Sequence, residues 1–344
     1  MKILKIFFLN FLVFILGIIF IEFIFGFWFK DENFGIYMRK ERKINWHTSS
    51  TFNEKNYNFY YRRNFWGFRG AEFDPSDVKI IFEGGSTGNQ RFTPENLTIV
   101  GLLNEEFIKN NLDIKIYNAS TDGKSLNGYI NDFNFWFNKI PKLNLKYVIF
   151  LIGINDRFEN FDGKKYLDYK ISETKTDRIK DYVKNNSFFI DKFYQIKNRY
   201  FPKQTFMYDL NRTSLYENFN YIDYKAASNR YSEKDNRNRA FIKKFSSKLN
   251  ILNKIIKENN IKPIFINQLM YDGLSDKNLF LVNNQLKKFA RKNDYFIIPL
   301  DEILIMQKND FYDTVHTTPE GSKRIVNKIF PLLLEYFLQN DELN

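Results

Sequence analysis

The feature that most limits the fold is a set of short, nearly continuous apolar runs spread along the chain. Each run is rich in Ile, Val, Phe or Tyr, and the runs are Val78–Phe82, Ile114–Tyr117, Tyr147–Ile152, Lys262–Asn267 and Tyr295–Leu300. Strands that are apolar on both faces are typical of a parallel sheet covered by helices on both sides. A chain with this pattern is therefore expected to contain such a sheet.

Helical patterns lie between these runs. Apolar residues recur at helical spacing in Leu97–Lys109, Ala240–Asn259, Asn278–Lys292 and Pro319–Phe337. The last of these segments begins with Thr318–Pro319–Glu320, which supplies an N-cap, a first-position proline and a first-turn acid. Strands that alternate with helices predict an α/β fold with right-handed crossovers. Residues 158–238 are rich in Tyr, Lys, Asn and Asp, and they are interpreted as an insertion.

An apolar run precedes all of these segments. Residues 6–29 are interrupted only by Asn10 and Glu22, and they are long enough to span a bilayer core of ~30 Å. Lys2 and Lys5 come first, but no small-x-small cleavage site follows the run. The pattern predicts an uncleaved single-pass anchor over residues 1–30, with a core helix as the alternative.

A division of the chain follows from this anchor. Residues 31–75 are predicted to be a stalk and lead-in, and residues 76–344 the main domain, which carries the insertion. One large domain after an N-terminal anchor favours a position outside the cytoplasm, in the periplasm or at the cell surface. The oligomeric state does not follow from the sequence.

The composition excludes several kinds of chemistry. The chain has no cysteine, so disulfides, Cys–Zn sites and cysteine nucleophiles are excluded. Its two histidines, His47 and His316, argue against a metal site built on several histidines. The net charge of +12 favours anionic partners, although scattered solvated lysines explain it as well. No nucleic-acid-binding motif accompanies the charge.

A glycine-rich turn, FEGGSTGNQ over residues 82–90, follows the first apolar run. A dinucleotide fingerprint would need a glycine where Glu83 stands, and a P-loop would need a lysine that is absent. Gly84-x-Ser86-x-Gly88 does match the nucleophile elbow, in which a serine is exposed on a tight turn. A plain chain reversal remains the alternative.

A serine nucleophile needs a base, and His316 is the candidate. It lies in Asp313–Thr314–Val315–His316, just before the last helical segment. A carboxylate three residues before an imidazole can reach it, orient it and stabilise its charged form. The alternative for His316 is a helix-entry residue that hydrogen-bonds to Asp313.

Two further segments offer donors for an oxyanion hole. Residues 118–123 follow the second apolar run, and Gly123 could present its backbone N–H. Residues 153–156 follow the third run, and Asn155 could present its side-chain amide. The alternatives are a turn glycine and a capping residue.

Taken together, these segments resemble the four blocks of SGNH hydrolases, also called GDSL esterases, over about residues 76–335. The blocks are Ser86 in the glycine turn, Gly123 after N-A-S-T-D, Asn155 in G-I-N-D and His316 in D-T-V-H. The resemblance is to a membrane-anchored bacterial type. It implies a flavodoxin-like three-layer α/β/α sandwich with a five-stranded parallel sheet.

Two departures and one rival fold qualify the resemblance. The first block reads Gly84–Gly85–Ser86 instead of Gly-Asp-Ser, and the interval between Asn155 and Asp313 is long, as the insertion requires. The rival is the ordinary α/β-hydrolase, in which several strands precede the elbow. Here the serine follows the first clear strand, which favours the SGNH pattern.

The resemblance implies acyl transfer without a metal or organic cofactor. Ser86 attacks an ester carbonyl, His316 takes its proton and Asp313 orients His316. The Ser86 N–H, the Gly123 N–H and the Asn155 side chain hold the oxyanion.

The substrate is expected to be an ester, with O-acetyl groups of a cell-envelope glycan as the hypothesis. Tyrosines of the insertion either offer faces to sugars or pack the insertion against the core; they are Tyr208, Tyr216, Tyr221, Tyr224 and Tyr231. An O-acyltransferase that modifies a polysaccharide would use the same triad. A non-catalytic envelope-binding or assembly protein on the same fold is a third reading.

Overall fold

A computed structural model describes residues 2–26, 28–29, 45–158, 175–200, 220–232 and 236–340. It begins with α1 (Lys2–Phe25), a helix that is long and apolar enough to cross a membrane. The predicted anchor, residues 1–30, thus contains this helix. The part of the predicted stalk between residues 31 and 44 lies outside the described residues.

The remaining elements follow α1 in chain order. They are β1 (Asn45–Phe52), β2 (Lys55–Arg62), β3 (Ile80–Glu83), α2 (Ser86–Asn89), α3 (Ile99–Lys109), β4 (Ile116–Asn118), α4 (Leu126–Phe135), β5 (Tyr147–Ile152), α5 (Lys175–Asn186), α6 (Phe188–Tyr200), α7 (Tyr224–Arg230), α8 (Asn236–Glu258), β6 (Lys262–Asn267), α9 (Lys277–Lys292), β7 (Phe296–Ile298), α10 (Leu300–Ile303) and α11 (Pro319–Gln339).

The five strands β3 to β7 form one parallel sheet in the order β4-β3-β5-β6-β7. Numbered within this sheet, the order is 2-1-3-4-5, which is the flavodoxin-like doubly wound order. After β3, the chain adds β4 on one side of that strand and β5 on the other. The loops that follow β3 and β5 therefore meet at the carboxyl ends of these two strands. The predicted fold class is confirmed.

Helices cover both faces of the sheet, because side chains of each strand alternate between two cores. In β5, Ile149 and Leu151 face the core that contains α3 and α11. Val148 and Phe150 face the other core, which contains α4 and α8. All six residues of β5 are buried, as expected for a central parallel strand.

Several elements differ from the sequence predictions. The helix α4 and the antiparallel hairpin β1–β2 were not predicted, since neither has a clear apolar period. The hairpin packs on the domain: the Phe52 and Tyr312 rings lie 5.2 Å apart, and the Tyr61 hydroxyl donates to Asn89 over 3.0 Å. His47 packs in the hairpin against Tyr60, at 5.2 Å between ring centroids.

Part of the predicted insertion is described as α5, α6 and α7. Tyr221, Tyr224 and Tyr231 pack against the first core, and the Tyr231 ring lies 5.7 Å from Phe280. These three tyrosines therefore attach the insertion to the first core. Tyr208 and Tyr216 lie outside the described residues.

Candidate active site

Ser86 stands at the first position of α2, directly after the turn that ends β3. The residue before it is Gly85, whose backbone is extended. A Cβ at Gly85 would lie 2.4 Å from Asn155 Nδ2 and 3.0 Å from the carbonyl oxygen of Lys124. A side chain at this position would therefore require the Asn155 amide to shift. The turn places the Ser86 hydroxyl above the carboxyl end of the sheet.

His316 and Asp313 are brought to this serine by the loop before α11. His316 Nε2 lies 2.8 Å from Ser86 Oγ, and His316 Nδ1 lies 2.6 Å from Asp313 Oδ2. The other carboxylate oxygen of Asp313 accepts the backbone N–H groups of Val315 (2.8 Å) and His316 (2.7 Å). These bonds close the loop into a turn that fixes the carboxylate beside the ring.

The electrostatics of this loop favour one arrangement of protons. Burial acts to raise the pKa of Asp313, but hydrogen bonds from His316 and the backbone N–H groups outweigh it and hold the pKa below its ordinary value. An ionised Asp313 accepts the Nδ1–H of a neutral His316, which leaves Nε2 as the acceptor for the Ser86 hydroxyl. Tyr312 stacks on the imidazole at 5.6 Å and 13° between planes, which limits rotation of the ring.

The two other predicted residues lie on loops that face the Ser86 turn. Gly123 has a φ of +78°, a left-handed conformation that favours glycine. The Asn155 side chain donates to the carbonyl oxygen of Lys124 over 2.8 Å, next to Gly85. An amide group has two N–H donors, so this bond uses one of them. Asn155 is therefore held in place beside the serine.

Polar side chains from neighbouring loops connect these segments. Gln268 donates to Thr87 Oγ1 over 2.6 Å, and its amide oxygen accepts the backbone N–H of Ile154 over 2.8 Å. Gln90 donates to Thr317 Oγ1 over 3.1 Å. The serine segment is thus bonded on one side to the loop of Asn155 and on the other to the loop of His316.

A buried charge cluster lies beneath the glycine turn. The Lys124 ammonium is 3.1 Å from Glu83 Oε2 and 2.5 Å from Asp132 Oδ2, and none of the three side chains is exposed. It also donates to the carbonyl oxygen of Ala119 over 3.0 Å. Burial raises the pKa of Glu83 well above its ordinary value, and Lys124 opposes this rise.

Lys124 thereby links three of the four sequence blocks. Its side chain binds Glu83 at the end of β3, its backbone follows Gly123, and its carbonyl oxygen accepts Asn155. The sequence analysis missed this residue, because an isolated lysine after a glycine carries no sign of burial. The pairing of Glu83, two residues before Gly85, with a distant lysine is visible only in three dimensions.

Asp156, next to Asn155, supports the same region from below. Its carboxylate accepts the backbone N–H of Leu126, the first residue of α4, over 2.9 Å. Burial raises the pKa of Asp156 to about 6, although this hydrogen bond opposes the rise. The side chain acts as a structural acceptor for a helix N-terminus.

The structure therefore brings together Ser86, Asp313 and His316 in hydrogen-bonding distance, with Asn155 beside the turn. Their catalytic roles stay predictions. Within the described ranges, no group of three or more His, Asp or Glu side chains is arranged to hold a metal ion.

Comparison with known proteins gives matches only among solved structures. No family model matches the chain, and no curated protein is similar to it. One match is an acylhydrolase described as putative from Bacteroides fragilis NCTC 9343, which is 14% identical over 75% of this chain and 87% of its own, with a TM-score of 0.39. A GDSL-like lipase from Bacteroides thetaiotaomicron VPI-5482 is 12% identical over 77% and 92%, with a TM-score of 0.39.

A third match is a psychrotrophic esterase from Pseudoalteromonas sp., 12% identical over 76% of this chain and 99% of its own, with a TM-score of 0.39.

Proposed function

We propose that the chain is a serine esterase that works through an acyl-enzyme on Ser86. The observation that carries the proposal is the continuous chain of hydrogen bonds from Ser86 Oγ through His316 to Asp313, at 2.8 and 2.6 Å. A binding protein would have no need for a base aligned on a half-buried serine. The Asn155 amide beside the same turn adds a donor for an oxyanion.

The geometry supports the following steps. Ser86 Oγ attacks the ester carbonyl carbon while its proton passes to His316 Nε2, and the carbonyl oxygen becomes an oxyanion. The Ser86 and Gly123 N–H groups and the Asn155 amide stabilise that oxygen. The C–O bond then breaks, the alcohol leaves with the proton from His316, and water repeats the sequence to release the acid. Each such donor is worth roughly 3 kcal/mol of transition-state stabilisation.

Fluorophosphonate labelling of the purified full-length chain tests this proposal. The reagent phosphonylates an activated serine, and mass spectrometry locates the adduct. We expect a single adduct on Ser86, no adduct in Ser86→Ala and labelling at least 100-fold slower in His316→Ala. His47→Ala is the matched control, because His47 is the other histidine of the sequence and packs in the hairpin.

The outcomes of this labelling distinguish a serine esterase from a non-catalytic binding protein. Labelling that is unchanged in His316→Ala would refute the base. A folded protein that takes no adduct at Ser86, yet binds an acylated polysaccharide, would favour the binding or assembly protein on the same fold.

For the substrate, we propose O-acetyl groups of a cell-envelope glycan. The support is the apolar helix α1, which would hold the domain at a membrane, and the net charge of +12, which suits an anionic polymer. In this proposal residues 1–30 anchor the chain, residues 31–75 lead to the domain, and residues 76–344 lie outside the cytoplasm. Release of acetate from envelope polysaccharide, measured against release of fatty acid from lipid esters, tests the proposal; cleavage of lipid esters alone would contradict it.

An O-acyltransferase would share the triad and the oxyanion donors, because both activities pass through an acyl-enzyme. The two differ in what attacks that intermediate. Adding a glycan acceptor to an assay with an activated acetyl ester measures the difference. Acetylated glycan that forms faster than free acetate would identify a transferase, and acetate alone an esterase.

A further inference from the structure

One helix of the insertion carries an exposed apolar stripe. Phe189, Phe193, Ile196 and Tyr200 recur along α6 at intervals of four, three and four residues. At 3.6 residues per turn they fall within an arc of about 60°. Phe193, Ile196 and Tyr200 are 62%, 57% and 67% exposed, so this stripe faces away from the domain.

Basic side chains flank the stripe. Lys192 and Lys197 are exposed, and their positions place them on opposite sides of the stripe. An apolar stripe bordered by lysines is typical of a helix that lies in a membrane interface, where the stripe enters the lipid and the ammonium groups meet anionic headgroups. A helix that packs on protein would have its stripe buried.

The preceding helix, α5, repeats the pattern. Ile179, Tyr182 and Val183 lie on one side of α5, and all three are exposed. Lys180 is exposed beside them. The two helices together therefore present apolar and basic side chains along their length.

The stripe begins where the apolar helix α1 ends. Glu22, about 4.5 Å before the end of α1, accepts the backbone N–H of Phe188 over 2.7 Å and also binds the hydroxyl of Ser187. The rings of Phe25 and Phe188 lie 5.4 Å apart. The first turn of α6 is thus bonded to the last turn of α1.

The length of α1 sets the depth of this junction. Its 24 residues span about 36 Å, slightly more than a bilayer core of ~30 Å. Its last turn therefore reaches the boundary between hydrocarbon and headgroups, where Trp and Tyr are enriched. Trp28 lies there, with its ring 5.8 Å from Tyr182 of α5.

We propose that α5 and α6 form a second membrane-binding element, which lays its apolar stripe into the headgroup region of an anionic bilayer beside α1. The occupant is lipid because the exposed surface is continuous with α1 and because the lysines complement anionic headgroups. The inference rests on α1 being in the membrane, and it is independent of the esterase chemistry. It attaches the domain to the bilayer at two places.

The absence of cysteine allows a clean test in the full-length chain. Single cysteines are introduced at Phe193 and Ile196 of the stripe, labelled with an environment-sensitive fluorophore, and placed in nanodiscs that hold one protein each and contain anionic phosphatidylglycerol. Leu12→Cys, in the middle of α1, is the reference for a probe inside the bilayer. Lys254→Cys, on the exposed surface of α8, is the matched control.

Quenching by lipids with a nitroxide near the headgroup is the readout. We expect probes at residues 193 and 196 to be quenched several-fold more than the probe at residue 254, with less quenching in neutral lipid. Equal quenching at residues 193, 196 and 254, with Leu12→Cys still protected from water, would overturn the proposal. Strong quenching at residues 193 and 196 that is absent from discs with one copy, and is seen only in discs prepared with two copies, would overturn it in favour of self-association.

Discussion

Lys124→Met is expected to reduce both the stability of the fold and the rate of the proposed reaction. The substitution keeps the length of the side chain but removes the ammonium that lies between Glu83 and Asp132. It leaves two carboxyl groups in a site without solvent exposure. It also removes the donor to the carbonyl oxygen of Ala119.

The loss of stability follows from the burial of the partners. Removing one member of a fully buried ion pair costs about 3–5 kcal/mol, since the remaining charge is uncompensated. Glu83 already has a raised pKa, and removal of Lys124 raises it further. A carboxyl with a raised folded pKa stabilises the fold fully below its unfolded pKa of about 4.3, and that contribution is lost as the pH rises through the folded pKa. The deficit of Lys124→Met should therefore grow with pH and be larger at pH 8 than at pH 5.

We expect a lower kcat because the Lys124 backbone holds two of the proposed oxyanion donors, Gly123 and Asn155, in place. Gly123 directly precedes Lys124, and the carbonyl oxygen of Lys124 holds the Asn155 amide at 2.8 Å. The variant keeps both donors but loosens the loop that aims them. Loss of one donor outright costs about 10²–10³-fold in kcat, and a shift of about 1 Å can cost about 10²-fold. We expect kcat to fall about 10- to 100-fold, with little change in KM.

Lys287→Met is the matched control for this experiment. Lys287 is also buried and pairs with Asp301 (3.0 Å) and Glu302 (2.6 Å), which lie outside the four segments that carry the site residues. Denaturant unfolding at pH 5 and pH 8 gives the stability of each variant, and hydrolysis of an activated acetyl ester gives kcat per folded molecule. We expect both variants to be destabilised and only Lys124→Met to lose kcat. Equal kcat values in the two variants would refute the argument that Lys124 positions the oxyanion donors.

Three further predictions concern single groups of the site. Asp313→Asn should lower kcat roughly 10³–10⁴-fold, because an amide favours the wrong tautomer of His316; fluorophosphonate labelling that stays fast would contradict this. Gly85→Ala should lower kcat about 10²-fold or more with a modest change in Tm, since its Cβ would meet the Asn155 amide at 2.4 Å; full activity would contradict this contact. Asp156→Asn should remove a pH dependence of unfolding. With a folded pKa of about 6, Asp156 contributes most below its unfolded pKa, and the wild-type fold loses roughly 3 kcal/mol of that as the pH rises from about 4 to about 7; an equal slope in the variant would refute this.

The sequence predicted the sheet because the physical cause is local. Parallel strands buried on both faces must be apolar throughout, and β5 and β6 have the bounds of their apolar runs, Tyr147–Ile152 and Lys262–Asn267. The apolar run that predicts β3 starts at Val78, two residues before the strand begins at Ile80. The hairpin β1–β2 was missed because its strands, NWHTSSTF and KNYNFYYR, are mostly polar and aromatic and contain no continuous apolar run.

A site residue was predictable where the sequence holds few residues of the type that the chemistry requires. With no cysteine and two histidines, the search for a base ended at His316. Lys124 could not be found in this way, because 52 basic residues give no indication of which one is buried. Gln268 was missed for a similar reason: its amide joins Thr87 and Ile154, which are far apart in sequence.

The departure from Gly-Asp-Ser at Gly85 has a physical explanation in the same contacts. Any side chain at this position would point at Asn155 Nδ2, 2.4 Å from its Cβ, and at the Lys124 carbonyl oxygen that holds that amide. An aspartate here would therefore require Asn155 and the loop of Lys124 to move outward together. The acidic residue within the turn is instead Glu83, which lies on its buried side and pairs with Lys124 from below. The Glu83 carboxylate thus anchors the loop of Gly123 and Lys124 from within the core, and in the proposed reaction the outer surface of the turn is open to an ester that approaches Ser86.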